Sequence, residues 1–420
     1  MKKVDVLVIG AGPAGTIAAS TLRQAGFSVL IVEKMIFPRF VIGESLLPRC
    51  MEALKASGLY EAVQKQGFQQ KFGAKFVRHD RGRAEVFDIN FSEAHTEGET
   101  WTWQVPRADF DKCLADECER KGIEILYNTE VNAIQFRSDG SSVTNIRNLT
   151  TAPAEGPSQI EARFIVDGSG YGRVIPKLFA LEKESSLPPR QTLFTHFVDH
   201  RRSAVEGEAN RITIYVFNEN TWIWCIPFSN GRTSVGFVGF PEFFSGLEGS
   251  PEEKMQFLVN SHVELGPRFK DAVMEFEPRT IESWSKTTEK FYGSGFVLTG
   301  NVTEFLDPMF SSGVTLASVS AELAARLVIR QLRGETVDWQ MEYMEPCLRG
   351  VKIFRTFVEG WYSGDLHTIF FAENQMESLR RQIASVLAGY VWDETNLFVS
   401  QSEKSIPKLA NFIRSRARGL

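Results

Sequence analysis

The stretch that decides the fold opens the chain, where the apolar run Val4–Ile9 leads directly into Gly10-Ala11-Gly12-Pro13-Ala14-Gly15. A helix pattern over Thr16–Ala25 and a second apolar run, Val29–Val32, complete a strand–helix–strand unit that ends at Glu33. In such a turn two glycines let the backbone approach a pyrophosphate closely, and the third lets the helix pack on the sheet. The sequence therefore predicts a dinucleotide-binding fold, with phosphates at the helix N-terminus and ribose hydroxyls on Glu33.

The bulk composition limits the classes of partner. The chain has 420 residues, 43% of them hydrophobic, which suffices for a large core and two or more domains. A net charge of −5 gives no indication of a nucleic-acid partner. The five cysteines are scattered without metal-ligand spacing, so we expect a cytoplasmic protein without a metal site. No run of 18 apolar residues occurs, and we expect no membrane span.

A second motif lies in the middle of the chain and reads Trp222-Ile223-Trp224-Cys225-Ile226-Pro227. Two tryptophans separated by one residue on a strand project from the same face, and the proline removes a donor from the sheet ladder. The segment therefore predicts a stiff, bulky wall, although an ordinary core strand carrying tryptophan would have the same pattern. A similar stretch, Trp101–Pro106, precedes Arg107 and is interpreted as a strand entering a helix.

Together the two motifs resemble those of the flavin-dependent halogenases, within the larger flavoprotein family of aromatic hydroxylases and geranylgeranyl reductases. The resemblance covers most of the chain and has the least motif support in the last 80 residues. It implies a mixed α/β (α+β) fold. The Rossmann-like FAD-binding domain would comprise residues 1–72, 100–175 and 286–335. An inserted, mostly antiparallel substrate-domain sheet would comprise 73–99 and 176–285, and a helical C-terminal region 336–420. The turn-rich stretch Thr150–Gln159 is predicted to be a loop.

The resemblance also implies further contacts to FAD beyond the opening unit. One position departs from the family pattern: Asn301 follows Gly300 where the family carries aspartate, which keeps the hydrogen-bonding capacity and loses the charge. The expected additional cofactor-binding residues are Lys34, Arg39, Glu44, Ser45, Arg107, Asp167, Gly168, Gly300, Asn301, Asp307, Pro308, Gly313 and Val314.

Two more roles follow from the resemblance. Ser312 and Gly313 match the peptide that holds the halide in halogenases, and a helix start is a reasonable anion site. These amides could instead bind flavin alone. Lys71, in Lys71-Phe72-Gly73, matches the catalytic lysine of halogenases with phenolic or carrier-bound substrates. Lys75 is a competitor, because alternate residues of an extended segment share a face, and a surface lysine is the plainest alternative.

The resemblance implies a specific reaction. Reduced FAD and dioxygen would form a flavin hydroperoxide that oxidises chloride or bromide. The hypohalous acid would then pass the wall formed by Trp222, Trp224, Ile226 and Pro227 and reach Lys71. The substrate would be an electron-rich phenolic or pyrrolic ring, free or bound to an acyl carrier. Only one dinucleotide fingerprint is visible, so a separate flavin reductase is expected. The alternatives are a dehydrogenase, reductase or monooxygenase of the geranylgeranyl-reductase type, and a flavin-binding protein without halogenase activity.

Overall fold

The structure is a computed structural model that describes residues 1–150, 158–205, 207–282 and 284–417. The strands are Lys2–Ile9, Val29–Val32, Gln69–Lys71, Gly73–Asp80, Arg83–Asn90, Thr102–Gln104, Glu124–Leu126, Thr129–Phe136, Ser142–Asn148, Ser158–Asp167, Glu182–Glu184, Gln191–Val198, Thr213–Val216, Trp222–Pro227, Arg232–Gly239, Arg279–Glu282, Lys286–Thr288, Tyr292–Gly293, Phe296–Leu298 and Glu304–Phe305. The α-helices are Pro13–Gln24, Arg49–Ala56, Tyr60–Gln64, Arg107–Arg120, Val174–Leu178, Pro241–Ser245, Pro251–Ser261, Leu265–Phe269, Ser312–Leu332, Glu345–Tyr362, Asp365–Phe370, Glu377–Leu387, Leu397–Ser400 and Ser402–Ala417. Short 3₁₀ turns cover Phe91–Glu93, Gly170–Gly172, Gly300–Val302 and Pro308–Phe310, and a π-helical turn covers Gln340–Met344.

The first sheet has a parallel core with Lys2–Ile9 at its centre. This strand pairs in parallel with Ser158–Asp167 on one side and Val29–Val32 on the other. Phe296–Leu298 and Glu124–Leu126 extend the parallel core at its two edges. Parallel strands buried on both faces are apolar throughout, and Val29–Val32 is buried at every position. This is the predicted Rossmann-like layer.

The glycine turn joins the central strand to the first helix through very close backbone contacts. Gly10 has φ +93°, and a Cβ there would lie 2.7 Å from the carbonyl oxygen of Gly168. A Cβ on Gly15 would lie 1.8 Å from the carbonyl oxygen of Gly10. The helix begins at Pro13, three residues earlier than the periodicity predicts, because proline has a suitable φ for the first helical position and needs no N–H partner there.

The second sheet is inserted between segments of the first. Its strands are antiparallel to their neighbours except for the parallel pair Thr213–Val216 and Gly73–Asp80. One face carries Trp222 and Trp224 and packs in an aromatic cluster with the C-terminal region, where Phe76 lies 5.0 Å from Phe370 between ring centroids. The other face, with Ile223, packs against the helix Pro251–Ser261.

The strands follow the predicted segments. All strands of the first sheet fall within 1–72, 100–175 and 286–335, and all strands of the second within 73–99 and 176–285. The domain limits themselves stay a prediction. Several short strands were not predicted, including Gln69–Lys71, which pairs with Thr102–Gln104. In the predicted loop Thr150–Gln159, residues 151–157 lie outside the described residues, and Ser158 already begins a strand.

One helix, Ser312–Leu332, is long and apolar enough to cross a membrane by length and composition. Of its most apolar 18-residue window, 72% is buried within the protein. Ala321, Ala324 and Ala325 lie in the same core cluster as Ile17 and Ala18 of the first helix. The small alanine side chains let the two helices pack closely, so the burial of this segment is that of a core helix.

We expect Gly15→Ala to unfold at lower denaturant concentration than wild type. The added methyl group would overlap the Gly10 carbonyl, which belongs to the rigid turn, and overpacking of this kind costs about 1–3 kcal/mol or more in the free energy of unfolding. Gly246→Ala is the matched control, because φ is −75° there and the nearest atom would lie at 3.5 Å. Equal urea midpoints for Gly15→Ala and Gly246→Ala would refute this account of the turn.

Candidate active site

A single long cavity of about 440 Å³ runs from the glycine turn to the tryptophan strand. Its volume is in the range of small-molecule and cofactor sites. Eighteen of the residues predicted from the sequence line it: Gly10, Gly12, Pro13, Ala14, Glu33, Lys34, Arg39, Glu44, Ser45, Arg107, Gly168, Trp222, Trp224, Ile226, Asn301, Pro308, Gly313 and Val314. Residues more than 300 positions apart in the chain therefore face one space.

The end of the cavity at the glycine turn carries N–H donors and positive charge that suit an anion. The helix Pro13–Gln24 starts there, and its first N–H groups have no partner within the helix. Two arginines line this end. Arg39 pairs with Asp111 at 3.1 Å, and Arg107 holds the same carboxylate with two bonds of 2.8 and 2.9 Å. The buried Asp111 thus fixes both guanidinium groups where a pyrophosphate would need positive charge.

Glu33 lies at the C-terminal end of the second strand and is buried. One of its carboxylate oxygens accepts a hydrogen bond from the Ala11 N–H at 2.8 Å, and the other accepts from the Met35 N–H at 2.9 Å. Each oxygen keeps lone-pair capacity for a hydroxyl. A Cβ on Gly12 would lie 3.3 Å from the Arg39 guanidinium, so a side chain there would press on this arginine. These features fit an adenine dinucleotide such as FAD.

The far end of the cavity meets the start of the long helix Ser312–Leu332. Ser311 precedes the helix in the left-handed conformation, with φ 57° and ψ 24°, which turns the chain sharply into the first turn. Gly313 lines the cavity, whereas Ser312 is buried beside it. A Cβ on Gly313 would lie 3.1 Å from the Phe305 ring and 3.8 Å from the Asn301 amide oxygen. The helix start is accessible to a flat ring or a small anion at this point.

The tryptophan strand forms one side of this end of the cavity. Trp222, Trp224 and Ile226 all line it, and the two indole rings are 6.0 Å apart. Trp224 donates from Nε1 to Ser234 Oγ at 2.9 Å and lies over Gly236, where a Cβ would come within 2.2 Å of the ring. A glycine on the neighbouring strand therefore makes the space that holds this indole flat against the sheet.

Trp222 is tied to the C-terminal region and to the segment before the long helix. Its Nε1–H donates to the Tyr362 hydroxyl at 3.1 Å, and that hydroxyl donates to Asp307 at 3.0 Å. Burial raises the pKa of Asp307 to about 6, against the lowering effect of its hydrogen bonds from Met309 N–H and Tyr362. Tyr362 thus connects the wall strand to the segment that carries Pro308.

Lys71 is buried rather than exposed. Its ammonium donates to Ser45 Oγ at 2.8 Å and to the Leu46 carbonyl at 2.9 Å, and it lies 5.3 Å from the centre of the Phe91 ring. Lys71 does not itself line the cavity, but Ser45 does. Burial lowers the pKa of Lys71 to about 7, with a smaller lowering from Arg211 and an opposing effect of the Cys50 thiol. The side chain therefore stands one residue behind the cavity surface.

Lys75 occupies a different environment. It is in register with Thr213, which is in register with Cys225, so all three project from the face opposite Trp224. Its ammonium pairs with Glu208 at 2.9 Å near the surface. Lys71 and Lys75 belong to strands of different sheets, and the expected shared face does not exist.

The remaining predicted residues lie beside the cavity and support it. The Asp167 carboxylate accepts from the N–H groups of Ser169 and Ile175 and so shapes the turn at Gly168. Gly300, at φ +59°, packs against Ala317. The Pro227 carbonyl accepts a hydrogen bond from Gln104. The predicted residues outside the lining are Gly15, Lys71, Asp167, Pro227, Gly300, Asp307 and Ser312.

Two residues near the site were not predicted. His196 hydrogen-bonds to Glu44, and the sequence analysis assigned it no role in the site. A partial signal was present, because His196 is a polar residue within the apolar, strand-like run Leu193–Val198. No sequence pattern could have indicated the role of Tyr362, because its partners Asp307 and Trp222 are 55 and 140 positions away. Within the described ranges, no cluster of His, Cys, Asp or Glu is placed to hold a metal ion.

Comparison with known proteins places the chain among flavoproteins. The FAD binding domain family model matches residues 3–344. A structure described as a flavoprotein/dehydrogenase from Cytophaga hutchinsonii is 52% identical, with a TM-score of 0.95, over 99% of this chain and 100% of that one. A 1H-pyrrole-2-carbonyl-[peptidyl-carrier protein] chlorinase of Pseudomonas fluorescens is 27% identical over 96% of this chain and 92% of the relative. A tryptophan 2-halogenase of Chondromyces crocatus is 30% identical over 82% of this chain and 65% of the relative.

We expect Tyr362→Phe to lower the free energy of unfolding by about 1–3 kcal/mol, because it leaves the buried Trp222 N–H without its acceptor and removes a donor to Asp307. Tyr292→Phe is the control, since its hydroxyl makes one exposed bond of 3.4 Å to Gln340. Urea unfolding of both variants measures the difference. A Tyr362→Phe protein as stable as the Tyr292→Phe protein would show that the connection contributes nothing.

Proposed function

Because the chain belongs to the FAD-binding domain family, we propose that it is an FAD-dependent oxidoreductase of the halogenase type, acting on an electron-rich aromatic ring. The proposal rests on the burial of Lys71 directly behind the cavity surface. The ammonium of this lysine is bonded to Ser45, which lines the same cavity as Trp222 and Trp224. A buried amine without a carboxylate partner lowers stability, which is typical of a residue kept for chemistry.

The cavity residues have complementary tasks in this proposal. When bound, reduced FAD supplies the activation of dioxygen that converts a halide ion into an electrophilic halogen species. Arg39 and Arg107 would hold the pyrophosphate, and the first N–H groups at Ser312–Gly313 would hold the halide. Trp222, Trp224, Ile226 and Pro227 would keep an organic ring away from the flavin and leave passage only for a small oxidised species.

Lys71 would receive that species and direct it. Because burial lowers the pKa of Lys71 to about 7, the neutral amine is accessible near neutral pH. The neutral amine has a lone pair for the electrophilic halogen, whereas the ammonium does not. Ser45 would have to rotate away from the amine, because its hydroxyl now accepts the Lys71 hydrogen bond at the cavity surface.

The relatives suggest two kinds of substrate. The Pseudomonas fluorescens protein is named for a pyrrole ring on a peptidyl carrier protein, and the Chondromyces crocatus protein for tryptophan. We propose a small aromatic substrate, free or carrier-bound, with chloride or bromide as co-substrate. A separate flavin reductase would supply FADH2, and the five free cysteines, all buried, favour a cytoplasmic setting.

A dehydrogenase or reductase is the second candidate function. It is favoured by the 52% identical structure described as a flavoprotein/dehydrogenase. It is also favoured by the aromatic packing next to the wall, where Phe310 contacts Phe357 and Trp361 with ring centroids 5.9 and 6.2 Å apart. An apolar substrate would suit such a surface. Bromide-dependent product from chemically reduced enzyme and dioxygen would decide for halogenation, and its absence together with reduction of a polyprenyl substrate would decide for the reductase.

We expect Lys71→Met to abolish bromination of phenol red while FAD content and flavin reoxidation by dioxygen stay within about twofold of wild type. Removing a group that acts only on the oxidised halogen lowers turnover without changing cofactor occupancy. Lys75→Met is the matched control, because Lys75 lies on the opposite face of the second sheet and should keep its activity. A Lys71→Met enzyme that still brominates phenol red would refute the assignment of Lys71 as the catalytic lysine.

The same variant should be more stable than wild type at neutral pH. A lysine whose folded pKa lies below its unfolded value weakens the fold most at low pH, and the loss shrinks as pH rises toward the unfolded pKa. Between pH 7 and 9 the stabilisation by Lys71→Met should therefore fall by about 2 kcal/mol. Urea unfolding at the two pH values measures it, and a difference that grows with pH would contradict the buried, neutral amine.

A further inference from the structure

A line of titratable side chains connects the cavity to the protein surface. Glu44 lines the cavity and is buried, and its Oε1 lies 2.7 Å from His196 Nε2. On the other side of the imidazole, Nδ1 lies 3.8 Å from the Glu275 carboxylate. The Glu275 side chain is 28% exposed and pairs with the surface residue Arg232 at 2.6 Å. The two nitrogens of one ring therefore point toward the cavity and toward solvent.

The surroundings of His196 make this line the polar path through an apolar layer. Three aromatic rings enclose the imidazole: Phe40, Phe228 and Phe276, with ring centroids 6.0, 5.2 and 5.0 Å away. The backbone holds the outer end in place, because the Glu275 N–H donates to the His196 carbonyl at 2.8 Å. The gap of 3.8 Å exceeds a hydrogen bond, so transfer there requires a small rotation of Glu275 or a bridging water.

We propose that Glu44, His196 and Glu275 form a proton relay that carries protons from solvent into the flavin cavity. The proposal deepens the proposed function and rests on FAD being bound in the cavity. Oxidation of FADH⁻ by dioxygen consumes a proton: FADH⁻ + O₂ + H⁺ gives FAD + H₂O₂. With a halide X⁻, FADH⁻ + O₂ + X⁻ + 2 H⁺ gives FAD + HOX + H₂O. Both routes consume protons in the cavity, and the line through His196 leads from the protein surface to the part of the cavity lined by Glu44.

The charges around His196 favour the protonated form of its imidazole. Burial opposes the charged imidazole, but the Glu44 carboxylate and its hydrogen bond outweigh burial and raise the pKa of His196. Glu275 adds to the rise, and Arg232 opposes it. Arg279 is a further cation beside the three aromatic rings. Its guanidinium carbon lies 5.0 Å from the centre of the Phe40 ring and 4.8 Å from the centre of the Phe276 ring. Of the three residues, only Glu44 lines the cavity. His196 therefore acts on the flavin site through Glu44 and does not contact it directly.

The first test needs no bound flavin. In protein with ¹³C-labelled histidine, the His196 resonance should titrate at higher pH than that of the buried control His262, whose pKa burial lowers to about 4. Glu44→Gln should shift the His196 titration to lower pH by more than one pH unit, and Glu275→Gln should shift it less. An unchanged titration in Glu44→Gln would overturn the coupling between cavity and histidine.

The second test follows proton delivery in the loaded enzyme. With chemically reduced flavin and dioxygen at pH 8, His196→Gln should slow flavin reoxidation about 100-fold, and added imidazole should restore much of the rate. His262→Gln should react like wild type, because His262 has the same 6% exposure and packs against Tyr215 on the opposite side of the second sheet. The wild-type rate should fall as pH rises through the His196 titration, and the variant should show no such fall.

The outcomes separate the relay from the halogenase function. A slow His196→Gln enzyme that imidazole rescues supports the relay, whether or not the wild type forms a bromide-dependent product. The absence of that product would overturn only the halogenase proposal. A His196→Gln enzyme within twofold of wild type at pH 8 would overturn the relay. An equal loss in His262→Gln, or a loss that imidazole does not relieve, would also overturn it, because both indicate a structural effect.

Discussion

The close contact of backbone at the glycine turn is the constraint on which the rest depends. The end of the central strand, the start of the first helix and the turn at Gly168 meet where Cβ atoms on Gly10 and Gly15 would overlap carbonyl oxygens. That contact brings the N–H groups of the helix start to the floor of the cavity. It also places Glu33 at its edge, where the Ala11 N–H holds the carboxylate. The arginine pair on Asp111 then completes the anion site from a third segment.

The second sheet presents an aromatic surface to the cavity on one face and packs charged groups on its other face. Alternation along one strand places Trp222, Trp224 and Ile226 against the cavity and Cys225 on the other side. On that other side Arg268 reaches both Asp199, at 2.6 Å, and the Cys225 sulfur, at 3.6 Å. The charged groups Arg268 and Asp199 therefore pair with each other on the face away from the cavity, and the tryptophans lie on the cavity face. A one-residue change of register would exchange the two faces and turn the tryptophans toward this ion pair.

The sequence predicted the parts of the site that short segments encode. The glycine turn, Glu33 and the wall strand each depend on spacing within a few residues, and the structure has these local elements as expected. The sequence could not choose between Lys71 and Lys75, because the choice depends on the chain changing sheets between Lys71 and Gly73. Tyr362 and the pairing of His196 with Glu44 were equally out of reach. Such contacts join residues far apart in sequence, and no local periodicity encodes them.

Burial acts on two basic side chains around this cavity, with opposite results. Lys71 has a serine hydroxyl and a backbone carbonyl as partners, so burial prevails and lowers its pKa. His196 is enclosed by aromatic rings but bonded to the Glu44 carboxylate, so the partner prevails and its pKa rises. Burial therefore favours the neutral form of the first group, and the carboxylate partner favours the protonated form of the second. Environments that drive two pKa values in opposite directions are how one site sustains acid and base roles together. The carboxylate of Glu44, present beside one group and absent from the immediate partners of the other, assigns the roles.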